Sequence, residues 1–253
     1  MTEPRPHSPT SPAGPSLGED RRAAAPAFAS GGRGNYDLFI ALFCSLLLLS
    51  NVGATKLLAF GPEVTIGSYP LFPVITDGGA FLFPLTYIVG DILAEVFGLL
   101  RARRAIVLSA IVGITASFVF LAVDLAPPAP DYPYATDWHH VLGFVPRIVL
   151  ASLLGYVAGQ FLTAVVLVRI KQRMGEGRLW VRLLGSSLVG ELADTLLFCV
   201  VAWIGVVSTG TLINYVITGY VYKVVVETVF LPVTTRVIAV VKRHEPDYGV
   251  AAS

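Results

Sequence analysis

Phe83-Pro84-Leu85-Thr86-Tyr87-Ile88-Val89-Gly90-Asp91-Ile92-Leu93-Ala94-Glu95-Val96-Phe97-Gly98 is a helix-compatible run in which two carboxylates interrupt a largely apolar sequence. A later run, Gly190-Glu191-Leu192-Ala193-Asp194, does the same. A charged carboxylate near the centre of a bilayer costs on the order of 2.5–3.5 kcal/mol on insertion scales, so it needs a counter-ion, a proton or water. Carboxylates in such runs make poor lipid anchors. They point to a polar cavity or pathway enclosed by a bundle of helices.

The rest of the chain agrees. Its 253 residues are 55% hydrophobic and 14% charged, with mean hydropathy +0.71. Soluble domains carry about 25% charged residues, which excludes that class and predicts a polytopic, all-α membrane protein. A span needs about 20 mostly apolar residues. Six stretches qualify: roughly 37–60, 79–99, 103–125, 144–170, 180–206 and 211–241.

Net charge is only +1, but its distribution is ordered. Arg101, Arg103 and Arg104 follow the second stretch, and Arg169, Lys171, Arg173, Arg178 and Arg182 separate the fourth from the fifth. Arg236, Lys242 and Arg243 lie near the C-terminus, and Arg21, Arg22 and Arg33 near the N-terminus. The segments 61–78, 126–143 and 207–210 contain no Lys or Arg. Strict alternation of positive and non-positive segments predicts six spans with both termini in the cytoplasm.

Residues 1–35 are rich in Pro, Ala, Ser and Gly without hydrophobic period and read as a disordered cytoplasmic tail. Ala23 to Ala29 is short and broken by Pro26, so no cleavable signal peptide is expected. Residues 36–242 read as one six-helix transport domain, and 243–253 as a short cytoplasmic tail. Cys44 and Cys199 fall inside spans and read as small packing residues. In the first outer loop, Val64-Thr65-Ile66 has the alternation of a small hairpin or a re-entrant edge, and Asp77-Gly78-Gly79 is a turn signal. In the second, Tyr134 and Trp138 suit an interfacial aromatic belt. His139 and His140 are adjacent on a loop, a poor two-ligand set, so no metal is expected there.

Helical neighbours lie three or four residues apart. Phe83, Tyr87, Asp91 and Glu95 therefore share one slowly drifting face of the second span, and Ser187, Glu191, Asp194, Thr195 and Phe198 share one in the fifth. The sixth span adds Tyr220, Lys223 and Glu227, the first Asn51, Thr55 and Lys56, and the fourth Gln160. Gly155-x-x-x-Gly159 in the fourth permits close helix packing. The acids Asp91, Glu95, Glu191, Asp194 and Glu227 outnumber the bases Lys56 and Lys223. Structural ion pairs, such as Lys223 with Glu227 one turn on, cannot neutralise them all. Acids one turn apart favour retention of a proton on one of them, so one or both pairs, Asp91 with Glu95 and Glu191 with Asp194, are expected to exchange a proton during a working cycle. The shared Gly–acid start of the second and fifth spans, which run in opposite directions, is the trace a 3+3 inverted repeat leaves.

These stretches, with Ser50-Asn51-Val52-Gly53-Ala54-Thr55-Lys56, Gly190 to Phe198, and Lys223 to Glu227 followed by Phe230-Leu231-Pro232, resemble the queuosine precursor transporter family, also described as vitamin-uptake-transporter-like. The resemblance covers about residues 36–242, in order and with matching spacing. It implies a six-helix inner-membrane importer of 7-deazaguanine bases such as preQ0 and preQ1, intermediates of the queuosine found in transfer RNA. The long N-terminal tail and the Pro-rich second outer loop depart from the family pattern.

The residues suit that cargo. A deazaguanine presents adjacent N–H donors that one carboxylate accepts together, and its flat rings need an apolar or aromatic slot. Asp91 and Asp194, with Glu95 and Glu191 beside them, are the candidate substrate or proton groups. Asn51 and Gln160 suit the carbonyl and ring nitrogens, Phe83, Tyr87 or Tyr222 suit stacking, and Lys56, Lys223 and Glu227 suit charge balance or proton coupling. No cofactor, metal or nucleic acid is expected. A self-sufficient secondary transporter is the leading expectation. A substrate-binding subunit served by a separate ATP-hydrolysing partner is the alternative, since no Gly-x-x-x-x-Gly-Lys-Ser/Thr loop is present. A homodimer is compatible with either. An intramembrane aspartyl hydrolase is disfavoured, because Glu95 and Glu191 widen the polar site beyond a two-acid centre.

Overall fold

A computed structural model describes residues 35–66, 69–174 and 179–245. The proposed tail (1–34 of it), most of the C-terminal tail (246–253), Arg178 and the side chains of Phe83, Lys171 and Arg182 lie outside the described residues. The elements run α1 (Tyr36–Gly53), β1 (Leu57–Ile66), β2 (Tyr69–Asp77), a 3-10 turn (Gly78–Leu82), α2 (Phe83–Phe97), α3 (Leu99–Asp124), α4 (Ala135–Val141), α5 (Val145–Met174), α6 (Leu179–Trp203) and α7 (Thr209–His244).

The chain is a helical, multi-pass membrane protein. Five helical stretches among the described residues are long and apolar enough to cross a bilayer: Tyr36–Gly53, Leu99–Asp124, Ala135–Ile170, Gly185–Trp203 and Thr209–His244. Only 6% of the most apolar window of α3 is buried in the protein, so its Val107, Ile111 and Phe118 present a surface suited to lipid. The expected second span is the exception. Its helix, α2, has 15 residues and rises about 22 Å, short of the roughly 30 Å hydrocarbon core. The preceding 3-10 turn adds five residues and about 10 Å. Gly98, at φ 86°, ends α2 and turns the chain directly into α3, a left-handed backbone that glycine adopts without Cβ strain.

The first outer loop forms a hairpin, as Val64-Thr65-Ile66 suggested, but the hairpin begins earlier than expected. The apolar run 37–60 is not one helix: α1 stops at Gly53, and Leu57 to Phe60 belong to an antiparallel hairpin. Leu57 pairs with Asp77, Leu58 with Thr76, Ala59 with Ile75 and Phe60 with Val74, before an irregularity at Gly61-Pro62-Glu63. A short apolar run has no period that separates strand from helix, so composition merged the two. The fold is therefore not wholly α.

One edge of the hairpin is covered by α7. Asn214 Oδ1 accepts from Ile75 N at 3.2 Å, and Asn214 Nδ2 donates to Pro73 O at 3.3 Å. Thr218 Oγ1 donates to Ile75 O, and Tyr222 OH donates to Ala80 O at 3.0 Å. Residues 214, 218 and 222 form an i, i+4, i+8 stripe, so a single helix face satisfies backbone groups that a bare edge strand would leave open.

Two buried clusters lie at opposite ends of the bundle. One contains Tyr36, Phe43, Val89, Leu93, Val96 and Phe97, flanked by Val237 and Val241 of α7. The other contains Ile148, Ala151, Cys199, Ala202, Trp203 and Tyr215. Packing links α2 to α3, α3 to α5, α5 to α6, α6 to α7 and α7 back to α2, while α1 packs against α2, α3 and α5. At the α1 end, Asn35 N donates to Glu245 Oε2 at 3.3 Å, so the start of α1 and the end of α7 lie together.

Candidate functional site

Between the two clusters lies a cavity of about 330 Å³ to which α1, α2, α3, α5, α6 and α7 all contribute. Its size falls within the roughly 300–1,000 Å³ of small-molecule sites. Asp91 of α2 and Asp194 of α6 both line it, as do Asn51, Tyr87 and Lys223. Phe43, Leu47, Val149 and Phe198 supply apolar wall.

The α5–α6 packing that positions Asp194 depends on glycine. A Cβ built on Gly155 would lie 2.6 Å from Asp194 Oδ1, and one on Gly159 would lie 2.9 Å from Gly190 O. A Cβ on Gly190 would collide with the Thr163 hydroxyl. The Gly155-x-x-x-Gly159 motif thus allows two helix backbones to approach and presses one against the carboxylate of Asp194.

The intramembrane acids have different partners. Asp194 Oδ2 accepts from Lys223 Nζ at 2.6 Å, with the Lys223 side chain 9% and the Asp194 side chain 30% exposed. Glu95 Oε1 accepts from Lys242 Nζ at 2.8 Å in an open pair at the end of α2, and Glu95 is not among the cavity residues. Glu191 Oε1 accepts from Tyr87 OH at 3.4 Å across the α2–α6 gap, and its Oε2 is buried without a hydrogen bond among the described residues. Asp91 makes no hydrogen bond or ion pair among the described residues. The expected Lys223–Glu227 pair does not form: the Lys223 ammonium bonds to Asp194, and Glu227 is exposed outside the cavity. Helix α7 brings a lysine to one member of each acidic pair.

Other candidates are dispersed. Asn51 Oδ1 accepts from Ser152 Oγ at 3.0 Å in the cavity wall. Gln160 and Lys56 are exposed and do not line the cavity. Tyr222 lines a smaller adjoining cavity of about 20 Å³. Phe83 opens α2, with its side chain outside the described residues.

Sequence reasoning missed several contributors, Tyr156, Ser152 and Asp77 among them. Tyr156 and Ser152 line the cavity from α5 but carry no charge to mark them. Asp77 was read as a turn residue, yet it is 4% exposed and lines both cavities. Its Oδ1 accepts from Ala80 N at 3.2 Å and its Oδ2 accepts from Tyr215 OH. Burial pushes the Asp77 carboxyl above the usual range, and the bonds from Tyr215 and the Gly79 and Ala80 amides oppose that rise. The sequence signal was an acid in a loop otherwise poor in charge, directly before an apolar run.

Known proteins bear on this geometry. The family described as "Putative vitamin uptake transporter" matches residues 77–237, from the last hairpin residue through most of α7. The chain is 31% identical over 163 residues to a "Probable queuosine precursor transporter" of Bacillus subtilis (strain 168), covering 64% of this chain and 71% of that protein. It is 31% identical over 134 residues to the "Queuosine precursor transporter" of Escherichia coli (strain K12), covering 51% of this chain and 55% of that protein. A "Probable queuosine precursor transporter" of Haemophilus influenzae is 28% identical over 138 residues, covering 54% of this chain and 56% of that protein. No solved structure matches the chain. With a matched region that takes in every cavity acid and the helices that carry them, this chain belongs to the vitamin uptake transporter family and is a membrane transporter, not an enzyme.

Proposed function

We propose that the protein imports queuosine precursors, 7-deazaguanine bases such as preQ0 and preQ1, across the inner membrane as a secondary transporter. The names of its relatives in Bacillus subtilis and Escherichia coli support that cargo class. The observation that carries the reading is the arrangement of acids around the cavity of about 330 Å³: Asp91 without a hydrogen bond or ion pair among the described residues, Asp194 held by Lys223.

A carboxylate that accepts the paired N–H donors of a guanine-like edge must be free to do so. Asp91 meets that condition, and Asp194 would first have to leave Lys223. Asp91 therefore reads the donor edge, and the Lys223–Asp194 pair faces the carbonyl side, where an ammonium donates. Tyr87 and Phe198 flank the acids and offer ring faces or edges to a planar base. Glu191, with one buried oxygen unsatisfied, is the group best suited to gain and lose a proton as Tyr87 shifts.

Both termini face the cytoplasm in this reading. The Asn35–Glu245 contact, which brings the two ends of the bundle together, supports an even number of crossings, with the 3-10 turn and α2 completing the sixth. A tail at 1–35, a transport domain at 36–242 and a tail at 243–253 follow, and the Gly–acid starts in α2 and α6 support an inverted repeat. A homodimer or an energy-coupling partner would be additional to this chain.

Complementation tests the cargo. Cells unable to make or import the base, expressing this chain, are fed the nitrile, the aminomethyl compound and the complete queuine base separately. Queuosine in transfer RNA after feeding either deazaguanine precursor supports the reading, and its absence with every feed contradicts it. Uptake that ignores both pH and the proton gradient would remove the proton role of Glu191.

A further inference from the structure

The hairpin and the cavity meet at one residue. Asp77 ends β2 where Gly78 N donates to Lys56 O at 2.9 Å, and it is buried against α7 rather than turned to solvent. Asp77, Phe198 and Lys223 line both the main cavity and its small neighbour, so together they form the wall between the two. On α7, Tyr215, Gly219 and Lys223 follow one another at four-residue intervals. One stripe of that helix thus carries the hydroxyl that donates to Asp77 and, two turns on, the ammonium that bonds Asp194.

We infer that Asp77 is a positioning residue: by accepting from Tyr215 it holds the α7 stripe that presents the Lys223 ammonium at the cavity wall, where a bound base meets it. This rests on the transport reading above. The carboxylate from the hairpin fixes the Tyr215 hydroxyl, and two turns on the same stripe delivers the ammonium to Asp194 of α6. The charge of Lys223 acts on Asp77, which agrees with that geometry. A residue that served only as a turn cap would need an acceptor oxygen for Ala80 N and no charge.

The test separates charge from capping. Initial uptake of radiolabelled 7-cyano-7-deazaguanine is measured against concentration in cells lacking their own importer and synthesis, expressing the full chain or its variants. KM is independent of how much protein reaches the membrane. Asp77→Asn keeps shape and cap but removes the charge, and is expected to raise KM about tenfold or more, the loss typical of a charge-assisted contact. Asp77→Glu keeps the charge and is expected to lie nearer to wild type than Asp77→Asn. Asp77→Ser, another good cap former, replaces Asn if that variant is poorly inserted. A wild-type KM in the uncharged variant, or an Asn variant better than Glu, overturns the inference while leaving the transport reading standing. Absence of uptake by the unaltered chain sinks the transport reading itself.

Discussion

Helices α2 and α6 each carry two acids within one turn, yet they use them in opposite ways. On α6 the neutralised acid, Asp194, lines the cavity and the other, Glu191, leans on Tyr87. On α2 the neutralised acid, Glu95, sits at the helix end with Lys242, and Asp91, which has no ion pair among the described residues, lines the cavity. Both counter-ions come from α7. The difference shows how a membrane protein tolerates several acids: one helix supplies a lysine to one acid of each pair, at the cavity on α6 and at the helix end on α2.

The largest expected effect breaks the α2 side. Asp91→Asn keeps the shape of the side chain but removes the charge, and a site built to accept N–H donors that loses its acceptor falls by about 100-fold or more in uptake. Membrane abundance should stay at the wild-type level, because no structural partner is lost. Uptake per folded molecule within a few-fold of wild type would remove Asp91 from the site.

The α6 side answers differently. Lys223→Gln strands Asp194 in a part-buried site, where removing one member of a buried pair costs about 3–5 kcal/mol at most, less here because Asp194 is partly exposed. The double variant Lys223→Gln/Asp194→Asn should recover part of that loss in thermal stability in detergent. Equal stability of the single and double variants would mean that the pair is not coupled.

A third variant tests the helix packing behind Asp194. Gly155→Ala places a methyl 2.6 Å from Asp194 Oδ1, and overpacking of this kind costs about 1–3 kcal/mol. Gly185→Ala, whose nearest neighbour would be Ile170 Cδ1 at 3.4 Å, is the tolerant control. Matching melting temperatures for the two would contradict the close α5–α6 approach.

The smallest effect is expected at the α2 end. Lys242→Gln breaks an ion pair whose side chains are 25% and 61% exposed; such surface pairs contribute about 0–1 kcal/mol. A large loss of stability there would show that the end of α2 is held more firmly than an open salt bridge allows.

Much of this comparison was legible in the sequence because charge in an apolar run is conspicuous. Asp91, Glu95, Glu191 and Asp194 stood out, and their spacing placed them on helix faces. What the chain hid was partnership. Lys242 read as a cytoplasmic anchor, since a long final helix gives no sign of where its register meets α2. Lys223 and Glu227 fit the one-turn rule, but a tertiary partner on α6 outcompeted the local one. The first half of the hairpin was obscured for another reason: Leu57 to Phe60 extend the apolar run of α1, and only pairing with Val74 to Asp77 distinguishes strand from helix. Asp77 then appeared to be a loop acid, although β2 carries it into the bundle.

Equilibrium binding separates the two ends of α2 most sharply, because Asp91 and Glu95 lie one turn apart on the same helix and only Asp91 lines the cavity. Radiolabelled 7-cyano-7-deazaguanine is titrated onto the purified full chain, Asp91→Asn and Glu95→Gln. The account predicts that binding is lost in Asp91→Asn and retained in Glu95→Gln. Retention in the first with loss in the second would place the cargo at the helix end and contradict the shared cavity.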